Sequence, residues 1–388
     1  MSTITRTSEQ LLYLMACALQ GVSAREEVLA DADLKQLLIM ARKHSVASMV
    51  CMALEKTAIF ANADEATKKQ WIDAKNKAIR KNMLLDAERK IISHELETQG
   101  IWYMPLKGSI LKDWYPKPGM REMADNDILF DASKRKEVKA IFQGRGYTVK
   151  GYNKSNHDEY EKPPIYNFEM HVELYHKIYD IFNEKYADVE QRLIPDAEVP
   201  HRFQFTPEDF YVFVIAHAYK HYSRSGTGIR TLADIYIMNQ KLGGTLNWEY
   251  VDSELRGLGI FSYERESREL AQKLFGIAEL PTKANLSETE QQMLAYYLGA
   301  STYGTIENRT LNKMRKLQPD GGAITAHTKR KYLLSRIFPG REWCEAYAPT
   351  VYKYPVLLPF FWVWRLAVKG VKRRDIAKQE LEAIKRER

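Results

Sequence analysis

The sequence predicts an α+β fold, in which a small mixed sheet is flanked by N-terminal and C-terminal helical regions. Apolar residues recur at helical spacing over residues 1–98 and again over 201–388, whereas short β-leaning apolar runs are confined to 99–200. A chain of 388 residues is long enough for two or three domains with sizeable cores. We therefore expect an N-terminal helical region, a central α/β core and a C-terminal helical domain with a basic tail, over those three ranges.

The composition indicates a globular chain that suits an anionic ligand. The hydrophobic fraction of 45% is ordinary for a soluble protein, and the net charge of +8 is modest for this length. That charge does not by itself argue for nucleic acid, and no nucleic-acid partner is expected. Cys17, Cys51 and Cys344 lie far apart without metal-type spacing, which favours a reduced, cytoplasmic setting. The first residues lack the basic and apolar run of a signal peptide.

The N-terminal region is expected to be helical and to carry no catalytic residue. Leu11 and Met15 belong to a first apolar face at helical spacing, and Asp33 is placed to cap a following helix. A long helical pattern starts near Ala66 and ends at Gly100, since a glycine often lies just past a helix end.

The central region begins at residue 101 with a change to β-leaning residues. Residues 101–106 predict a strand that ends at Lys107-Gly108, and Ser109 is placed to cap a short helix to about Trp114. The next strand is predicted over 125–131. Further predicted elements are a helix capped by Ser133 and strands at 147–149 and 165–174.

Two acids at the start of the second strand are the first chemical signal. Asp125 and Asp127 are two residues apart, so in an extended segment they share a face, and residues 128–130 are apolar enough to anchor the strand in the core. Paired acids repel each other unless a cation lies between them, and Mg²⁺ is the usual oxygen-preferring ion. Gly108-Ser109 upstream offers N–H groups and a hydroxyl for a phosphate. Metal and phosphate together suit phosphoryl or nucleotidyl transfer.

A third acid is expected on a neighbouring strand. In the segment 166–173, Glu169, His171 and Glu173 share one face, while the alternate apolar residues face the core. Three carboxylates around one or two Mg²⁺ ions are typical of a two-metal site. The spacing leaves both Glu169 and Glu173 open as the third carboxylate.

These motifs resemble the nucleotidyltransferase superfamily of DNA polymerase beta and kanamycin nucleotidyltransferase. In that pattern a Gly-Ser pair is followed by an acid pair, here 16 and 18 residues after the serine, and later by an acid on a strand. More closely, the chain is similar over about residues 30–300 to the bacterial group called uncharacterised nucleotidyltransferases. The segments that carry this similarity are 105–108, 115–116, 121–123, 125–129, 217–221 and 228–230 with Asp234. Glu169-Met170-His171 matches the acid–x–His strand of that group, whereas Asn126 stands where the superfamily usually has an apolar residue.

The resemblance implies roles for the acids and for the residues around them. Asp125 and Asp127 would hold two Mg²⁺ ions, or Mn²⁺, on a nucleoside triphosphate, and Glu169 would complete the site as ligand or base, with His171 and Glu173 as further candidates. The nucleotide would be bound by Lys107, Gly108, Ser109, Arg121, Lys220 and Arg230. Three of these cations also have a purely structural interpretation. Lys107 would be a solvated lysine, and Arg121 would form an ion pair with Glu122 or Asp125. Arg230 would form an intrahelical ion pair with Asp234.

The helical region after residue 200 contains two features of note. Thr206-Pro207 predicts a helix start, and His217 and His221 share a face of that helix. Because no third ligand lies near in sequence, we expect the histidines to pack or to hydrogen-bond rather than to bind zinc. Lys220 and Arg230 flank a glycine-containing turn that could approach phosphate or simply connect two helices.

The aromatic segment near the C-terminus has two interpretations. Residues 354–364 are strongly apolar but too short for a membrane span, and Lys369, Lys372, Arg373 and Arg374 follow. We expect this segment to dock on the protein's own core. The alternative is a peripheral membrane contact over 354–374, where aromatics adjoin a basic cluster.

The function predicted on these grounds is a magnesium-dependent nucleotidyltransferase. It would move a nucleoside monophosphate from ATP or another nucleoside triphosphate to a hydroxyl of a small molecule or protein, releasing pyrophosphate. One alternative is a glycosyltransferase that uses Asp-x-Asp with a nucleotide-sugar, although such enzymes normally place β–α–β units where this chain has about 98 helical residues. The other is a noncatalytic regulator that binds a nucleotide.

Overall fold

The computed structural model confirms the α+β fold. It describes residues 4–176, 180–280, 285–302, 304–318, 322, 324–372 and 374–386. Helices account for 64% of the chain, and a five-stranded mixed sheet has helices before and after it in sequence. The chain forms two compact units, of which the first comprises Met1–Tyr219 with Gly228–Thr302 and the second Lys220–Thr227 with Tyr303–Arg388.

The N-terminal part of the first unit is helical, as predicted. Its helices are α1 Arg6–Gln20, α2 Glu26–Leu29, α3 Leu34–Lys43, α4 Ala47–Leu54, α5 Ala58–Ala61 and α6 Glu65–Thr98. Asp33 caps α3, because its carboxylate accepts the amides of Lys35 and Gln36. The 34-residue helix α6 buries a face that includes Trp71, which donates from its indole to the Leu34 carbonyl.

The sheet lies in the central part of the sequence. Its strands are β1 Tyr103–Pro105, β2 Asn126–Phe130, β3 Thr148–Val149, β4 His157–Lys162 and β5 Tyr166–His171. Their spatial order is β1-β2-β5-β4-β3, with β2 and β5 parallel and the other neighbours antiparallel. The helices between strands are α7 Gly108–Leu111, continued by the 3-10 turn Lys112–Trp114, and α8 Arg135–Gly144.

One face of the sheet packs against α6 and α8. Ile128 and Phe130 of β2 and Phe168 and Met170 of β5 point into this core, since alternate residues of a strand share a face. The whole cluster comprises Ile92, Leu96, Ile101, Tyr103, Ile128, Phe130, Val138, Ile141, Phe142, Tyr147, Tyr160, Phe168 and Met170. The intervening residues of both strands therefore lie on the opposite face, where the predicted acids are found.

The first unit is completed by further elements after the sheet. They are α9 Asp180–Lys185, the 3-10 turn Val189–Arg192, the strand pair β6 Ile194–Pro195 and β7 Phe203–Gln204, and the helices α10 Pro207–Tyr222, α11 Arg230–Leu242, α12 Trp248–Gly257, α13 Phe261–Phe275 and α14 Glu288–Gly299. Thr206 begins α10 as predicted, because its hydroxyl accepts the amide of Asp209 at 3.1 Å.

The second unit is helical and has a small core of its own. Its helices are α15 Ile306–Lys316, α16 Ala326–Ile337, α17 Arg341–Tyr347, α18 Pro349–Lys353, α19 Leu358–Lys372, preceded by the 3-10 turn Pro355–Leu357, and α20 Arg374–Arg386. Met314, Tyr332 and Ile384 from α15, α16 and α20 form that core. Within the described residues, no helix is both long and apolar enough to span a membrane.

The aromatic segment 354–364 differs from the expectation of docking on a core. Val356, Phe360 and Val363 are 76%, 73% and 69% exposed. The other side of the segment does pack, since Trp362 contacts Phe338 and Phe361 contacts Trp343, with ring centroids 5.1 and 6.1 Å apart. Of the basic residues that follow, Arg373 lies outside the described residues.

Candidate active site

The structure brings the three predicted carboxylates together on the free face of the sheet. Asp127 lies directly opposite Glu169 in the parallel register of β2 and β5. Asp125 stands two residues before Asp127 and so belongs to the same face. Burial, and then the negative charges of Asp127 and Glu169, raise the pKa of Asp125 to about 7. Part of the shift therefore comes from repulsion among the three carboxylates, which a bound cation would relieve.

Asp127 is held by two cationic partners. Its Oδ1 accepts hydrogen bonds from Lys107 Nζ at 2.9 Å and from His171 Nε2 at 3.0 Å. Burial alone would raise the pKa of Asp127, but Lys107 and His171 outweigh it, so that pKa lies well below its usual range. Among the described residues no hydrogen bond reaches the second oxygen, Oδ2, which is therefore open to a cation.

His171 connects Asp127 with Glu169. Its Nε2 lies 3.6 Å from Glu169 Oε2, and the ring is almost fully buried. Burial opposes the charged imidazole, yet hydrogen bonding to the two carboxylates raises the pKa of His171. Burial likewise opposes ionisation of Glu169, and His171 outweighs it, so the pKa of Glu169 is lowered. Glu169 is thus an anion at neutral pH.

Glu173, the other acid left open by the sequence, lies elsewhere. Strand β5 ends at His171, and the chain then turns away, so the alternation that would have kept Glu173 on the same face is interrupted. Glu173 is exposed, and its carbonyl accepts the side-chain amide of Asn156 at 3.0 Å. The structure therefore places Glu169, and not Glu173, beside Asp127.

His157 belongs to this cluster although the sequence analysis did not select it. It lies opposite His171 in the antiparallel register of β4 and β5, with ring centroids 5.0 Å apart. Its Nε2 is 3.9 Å from Glu169 Oε2. The strand was missed because Asp158 occupies an inward position that would normally be apolar, and its buried carboxylate is paired with Arg135 at 2.6 Å.

The segment Lys107-Gly108-Ser109 lies close to the acids in an unusual conformation. Lys107 has φ +45°, which a non-glycine residue adopts only at an energetic cost. Its Nζ reaches both Asp127 and, at 3.2 Å, His217 Nε2, so His217 forms a hydrogen bond as expected. A Cβ on Gly108 would lie 2.6 Å from Arg121 Nη1, which explains the glycine.

Ser109 differs from its expected role as a helix cap. Helix α7 begins at Gly108, with Lys107 in the capping position. The Ser109 hydroxyl donates to the Leu106 carbonyl at 2.8 Å and is buried. Because that hydroxyl has one proton, it can donate to a phosphate oxygen only after releasing this bond. Its role in phosphate binding stays a prediction.

Arg121 forms a buried ion pair that joins the site to α11. Its Nε and Nη2 donate to the two oxygens of Asp234 at 2.7 and 3.0 Å, and Tyr115 donates its hydroxyl to the same carboxylate at 2.7 Å. Burial works against the charged guanidinium, but Asp234 outweighs it and raises the pKa of Arg121. Asp234 thus pairs with Arg121, where the sequence suggested Arg230 as its partner, and Arg230 donates to the Glu122 carbonyl at 2.8 Å. The predicted contacts of these arginines with the nucleotide stay predictions, as does that of Lys220, which belongs to the second unit.

Helix α6 holds the chain that leads into the acid pair. The Asn82 side-chain amide donates to the Arg121 carbonyl at 2.9 Å. One turn further on, the Leu85 carbonyl accepts from Asn126 at 3.0 Å, and Arg89 donates to the Asn126 side-chain oxygen at 3.0 Å. Asn126 is fully buried and faces α6 rather than the acids. The polar residue between the acids is therefore explained by its partners on the helix.

The donor set fits a hard divalent cation. Three carboxylates converge, burial and then their mutual repulsion raise the pKa of Asp125, and Asp127 Oδ2 has no hydrogen-bond partner among the described residues. Oxygen ligands of this kind suit Mg²⁺ or Mn²⁺. The imidazoles of His157 and His171 add nitrogen donors beside Glu169.

Comparison with known proteins identifies the family. Residues 30–276 match the family model described as uncharacterised nucleotidyltransferase. That match covers more than half of the chain and includes every element of the site from Lys107 to Asp234. No curated protein and no solved structure gives a significant match. The chain belongs to the uncharacterised nucleotidyltransferase family.

Proposed function

We propose that the protein moves a nucleoside monophosphate from a nucleoside triphosphate to a hydroxyl of a small molecule or protein, with release of pyrophosphate and with Mg²⁺ or Mn²⁺ as the metal. The observation that carries the proposal is the pairing of Asp127 with Glu169 across β2 and β5, with Asp125 beside them. Family membership favours this reaction over glycosyl transfer by an Asp-x-Asp enzyme.

In this proposal the three carboxylates hold the metal. Asp125, Asp127 and Glu169 supply the oxygen ligands. Bound ions would neutralise the triphosphate and stabilise the charge on the attacking and departing oxygens. Lys107 and His171 fix the orientation of Asp127 through its Oδ1 and leave Oδ2 for the ligand.

The chain's own residues also supply acid–base and electrostatic groups. The acceptor hydroxyl forms a new bond to the α-phosphorus, the bond from that phosphorus to the bridging oxygen breaks, and pyrophosphate leaves. The hydroxyl proton passes to Glu169, which is ionised at neutral pH and can accept it directly or through water. The ammonium of Lys107, close to the acids, is suited to the negative charge of the departing pyrophosphate.

A cytoplasmic location is part of the proposal. Cys17, Cys51 and Cys344 are all free thiols and all buried. Unpaired cysteines are typical of proteins in a reducing compartment.

The test follows the fate of the α-phosphate. The purified chain is incubated with each α-³²P nucleoside triphosphate in turn, with Mg²⁺ or Mn²⁺ and a fractionated extract of its source cells. We expect label in one acceptor fraction with an α-labelled nucleotide, and label only in pyrophosphate with the γ-labelled one. Asp127→Asn should abolish the transfer. Glu161→Gln, a half-exposed acid on β4, is the matched control and should keep it.

Two results would overturn the proposal. Transfer that persists in an Asp125→Asn/Asp127→Asn variant would remove the acids from the mechanism. Nucleotide binding without transfer, in every extract fraction and with every nucleotide, would favour the noncatalytic regulator instead.

A further inference from the structure

We infer that His157, Glu169 and His171 form a metal position for a transition-metal dication of the Mn²⁺–Zn²⁺ class, distinct from the all-oxygen position at Asp125 and Asp127. One ligand atom from each of the three residues lies within 4.8 Å of the others. The inference rests on the proposed function only in that Glu169 would be shared between the two positions.

The separations within this cluster are close to those of bound ligands. Glu169 Oε2 lies 3.6 Å from His171 Nε2 and 3.9 Å from His157 Nε2. Ligands at 2.0–2.1 Å in tetrahedral geometry are about 3.3 Å apart, so shifts of a few tenths of an ångström would bring Glu169 to that separation from each imidazole. Side-chain rotation alone provides shifts of this size.

Hydrogen bonding does not account for the position of His157. Its Nε2 lies 3.5 Å from Glu159 Oε1 and 3.9 Å from Glu169 Oε2, both longer than an ordinary N–H···O bond. Its Nδ1 is buried and has no hydrogen-bond partner among the described residues. A half-buried imidazole directed at two carboxylates, without a normal hydrogen bond to either, has the geometry of a ligand.

The ligand atoms, one carboxylate oxygen and two imidazole nitrogens, indicate which class of metal the position would bind. Mg²⁺ is bound by oxygen and retains several waters, whereas imidazole nitrogen suits Fe²⁺, Zn²⁺ and their neighbours. Mn²⁺ prefers oxygen but also accepts imidazole beside a carboxylate, so it serves as the spectroscopic probe of this position. His171 also donates to Asp127 at 3.0 Å. That bond uses the Nε2 proton, so a metal on Nε2 would release this proton and replace the hydrogen bond to Asp127. The nitrogen-containing position would therefore adjoin the oxygen position at Asp127, and Glu169, which we propose to accept the acceptor's proton, would be shared between the two positions.

The experiment reads metal–nitrogen coordination and does not need a nucleotide. The tag-free, metal-stripped full chain is titrated with Mn²⁺ alone, and pulsed electron paramagnetic resonance is recorded. We expect modulation from directly bound ¹⁴N in the wild type. His157→Gln should weaken that modulation and raise the Mn²⁺ dissociation constant about tenfold or more. His94→Gln, an exposed histidine on α6, is the control and should change neither.

The outcomes separate this inference from the proposed function. Absence of ¹⁴N modulation in the wild type, or modulation unchanged in a folded His157→Gln variant, would overturn it. Asp125→Asn should abolish nucleotidyl transfer and keep the ¹⁴N signal. If no nucleotide is transferred but the signal is present and depends on His157, the proposed function fails and the metal position stands.

A second inference comes from the exposed side of α19. We propose that this face docks on an anionic lipid surface. Phe360, Val363 and Trp364 are 73%, 69% and 52% exposed. Val363 and Trp364 follow Phe360 by three and four residues, so each lies on the same side of the helix as Phe360. Val356, just before the helix, is 76% exposed and adds to the same apolar stretch.

Charge identifies the kind of surface. Residues 326–388 contain fifteen Lys and Arg but six Asp and Glu, a net charge of +9, whereas the whole chain carries +8. The positive charge of the protein is thus concentrated in the part of the sequence that holds the exposed aromatics. Aromatic side chains inserted at the headgroup level, together with nearby basic residues, are the combination that binds acidic lipids.

Vesicle flotation tests the second inference. The full chain is mixed with vesicles of phosphatidylcholine alone or with 30% phosphatidylserine. We expect binding to the acidic vesicles only, weakened by salt, and reduced about tenfold in Phe360→Ser/Trp364→Ser. The control is Ile39→Ser/Met83→Ser, which removes equally exposed apolar residues from the N-terminal helices and should leave binding unchanged.

Three outcomes would overturn it. They are no flotation with either vesicle, equal flotation with both, or flotation that the Phe360/Trp364 variant retains. Self-association that sedimentation detects in the wild type and that this variant abolishes would assign the face to a second copy of the chain.

Discussion

The side chain of Asn126 donates a hydrogen bond to the main-chain oxygen of Leu85, and so fastens the strand of the acid pair to helix α6. The same side chain accepts from Arg89. The amide therefore uses both its N–H donor and its oxygen acceptor. It does so on the face of β2 that points away from the carboxylates. The residue between the two acids that we propose to bind the metal therefore acts in positioning them and not in the chemistry.

Replacing Asn126 should weaken the fold and the site together. Asn126→Val removes the hydrogen bonds to the Leu85 carbonyl and from the half-buried Arg89, and we expect a loss of about 1–3 kcal/mol in the free energy of unfolding. Urea unfolding measures it. Asn76→Val, at an exposed position of α6, should cost less than about 1 kcal/mol. Equal effects of the two substitutions would show that the Asn126 contacts contribute nothing.

Removing the Lys107 charge should slow the reaction. Lys107→Met keeps the length of the side chain but loses the ammonium next to Asp127, so kcat/KM for the nucleotide should fall by about 10- to 100-fold. Label-transfer kinetics measure it. Lys117→Met, an exposed lysine in the loop before Arg121, should leave the kinetics unchanged. A Lys107→Met enzyme of full activity would contradict the assigned role.

Breaking the buried pair of Arg121 and Asp234 should be strongly destabilising. Asp234→Ala leaves the guanidinium uncompensated among Tyr115 and Met123, at an expected cost of about 3–5 kcal/mol in urea unfolding. Arg121→Met/Asp234→Leu removes both charges and should recover most of that loss. If the double variant folds and its KM for nucleotide is normal, Arg121 is structural. A raised KM would support its predicted contact with pyrophosphate.

Acid should destabilise the protein through His44. Burial, and then the charge of Lys43, lower the pKa of His44 from 6.5 to about 3. A group whose pKa is depressed by folding stabilises the folded state above its unfolded pKa, and this contribution is lost as the pH falls from 6.5 towards 3. The loss is about 1.4 kcal/mol per pH unit, hence about 2 kcal/mol at pH 5.

A matched substitution isolates the histidine. His44→Asn keeps an acceptor for the Ile229 amide, which donates to His44 Nδ1 at 3.4 Å, but cannot be protonated. The difference in unfolding free energy between wild type and this variant should shrink between pH 7 and pH 5. A difference that is constant over that interval would show that His44 titrates normally in the folded state.

The fold and the acids were predictable because they depend on local patterns. Both the spacing of the acid pair and the alternation around Glu169 are properties of a strand. The structure places Asp127 in β2 opposite Glu169 in β5, and Asp125 directly precedes β2. The choice between Glu169 and Glu173 was beyond the sequence, because it depends on where β5 ends. That end is set by the turn after His171, which periodicity does not encode.

Two other features could not be predicted because a polar side chain occupies a position that is normally apolar. Strand β4, and with it His157, was not predicted because the inward-facing position of Asp158 carries a charge. In the structure that charge is paired with Arg135 from α8. Asn126 looked anomalous for the same reason, since its partners lie some forty residues earlier in α6. A hydrophobicity pattern does not show that a buried polar side chain is paired with a residue distant in sequence.

The contacts of α6 with the acid-bearing segment depend on a fixed spacing of residues along the helix. Asn82, Leu85 and Arg89 meet the acid-bearing segment from one side of the helix because they are three and four residues apart. One residue inserted between Asn82 and Leu85 would rotate everything beyond it by about 100°. The carboxylates would then lose their alignment although none of them had changed. If the acids act as proposed, the rotational position of a helix that carries none of them would matter to the activity as much as the acids themselves.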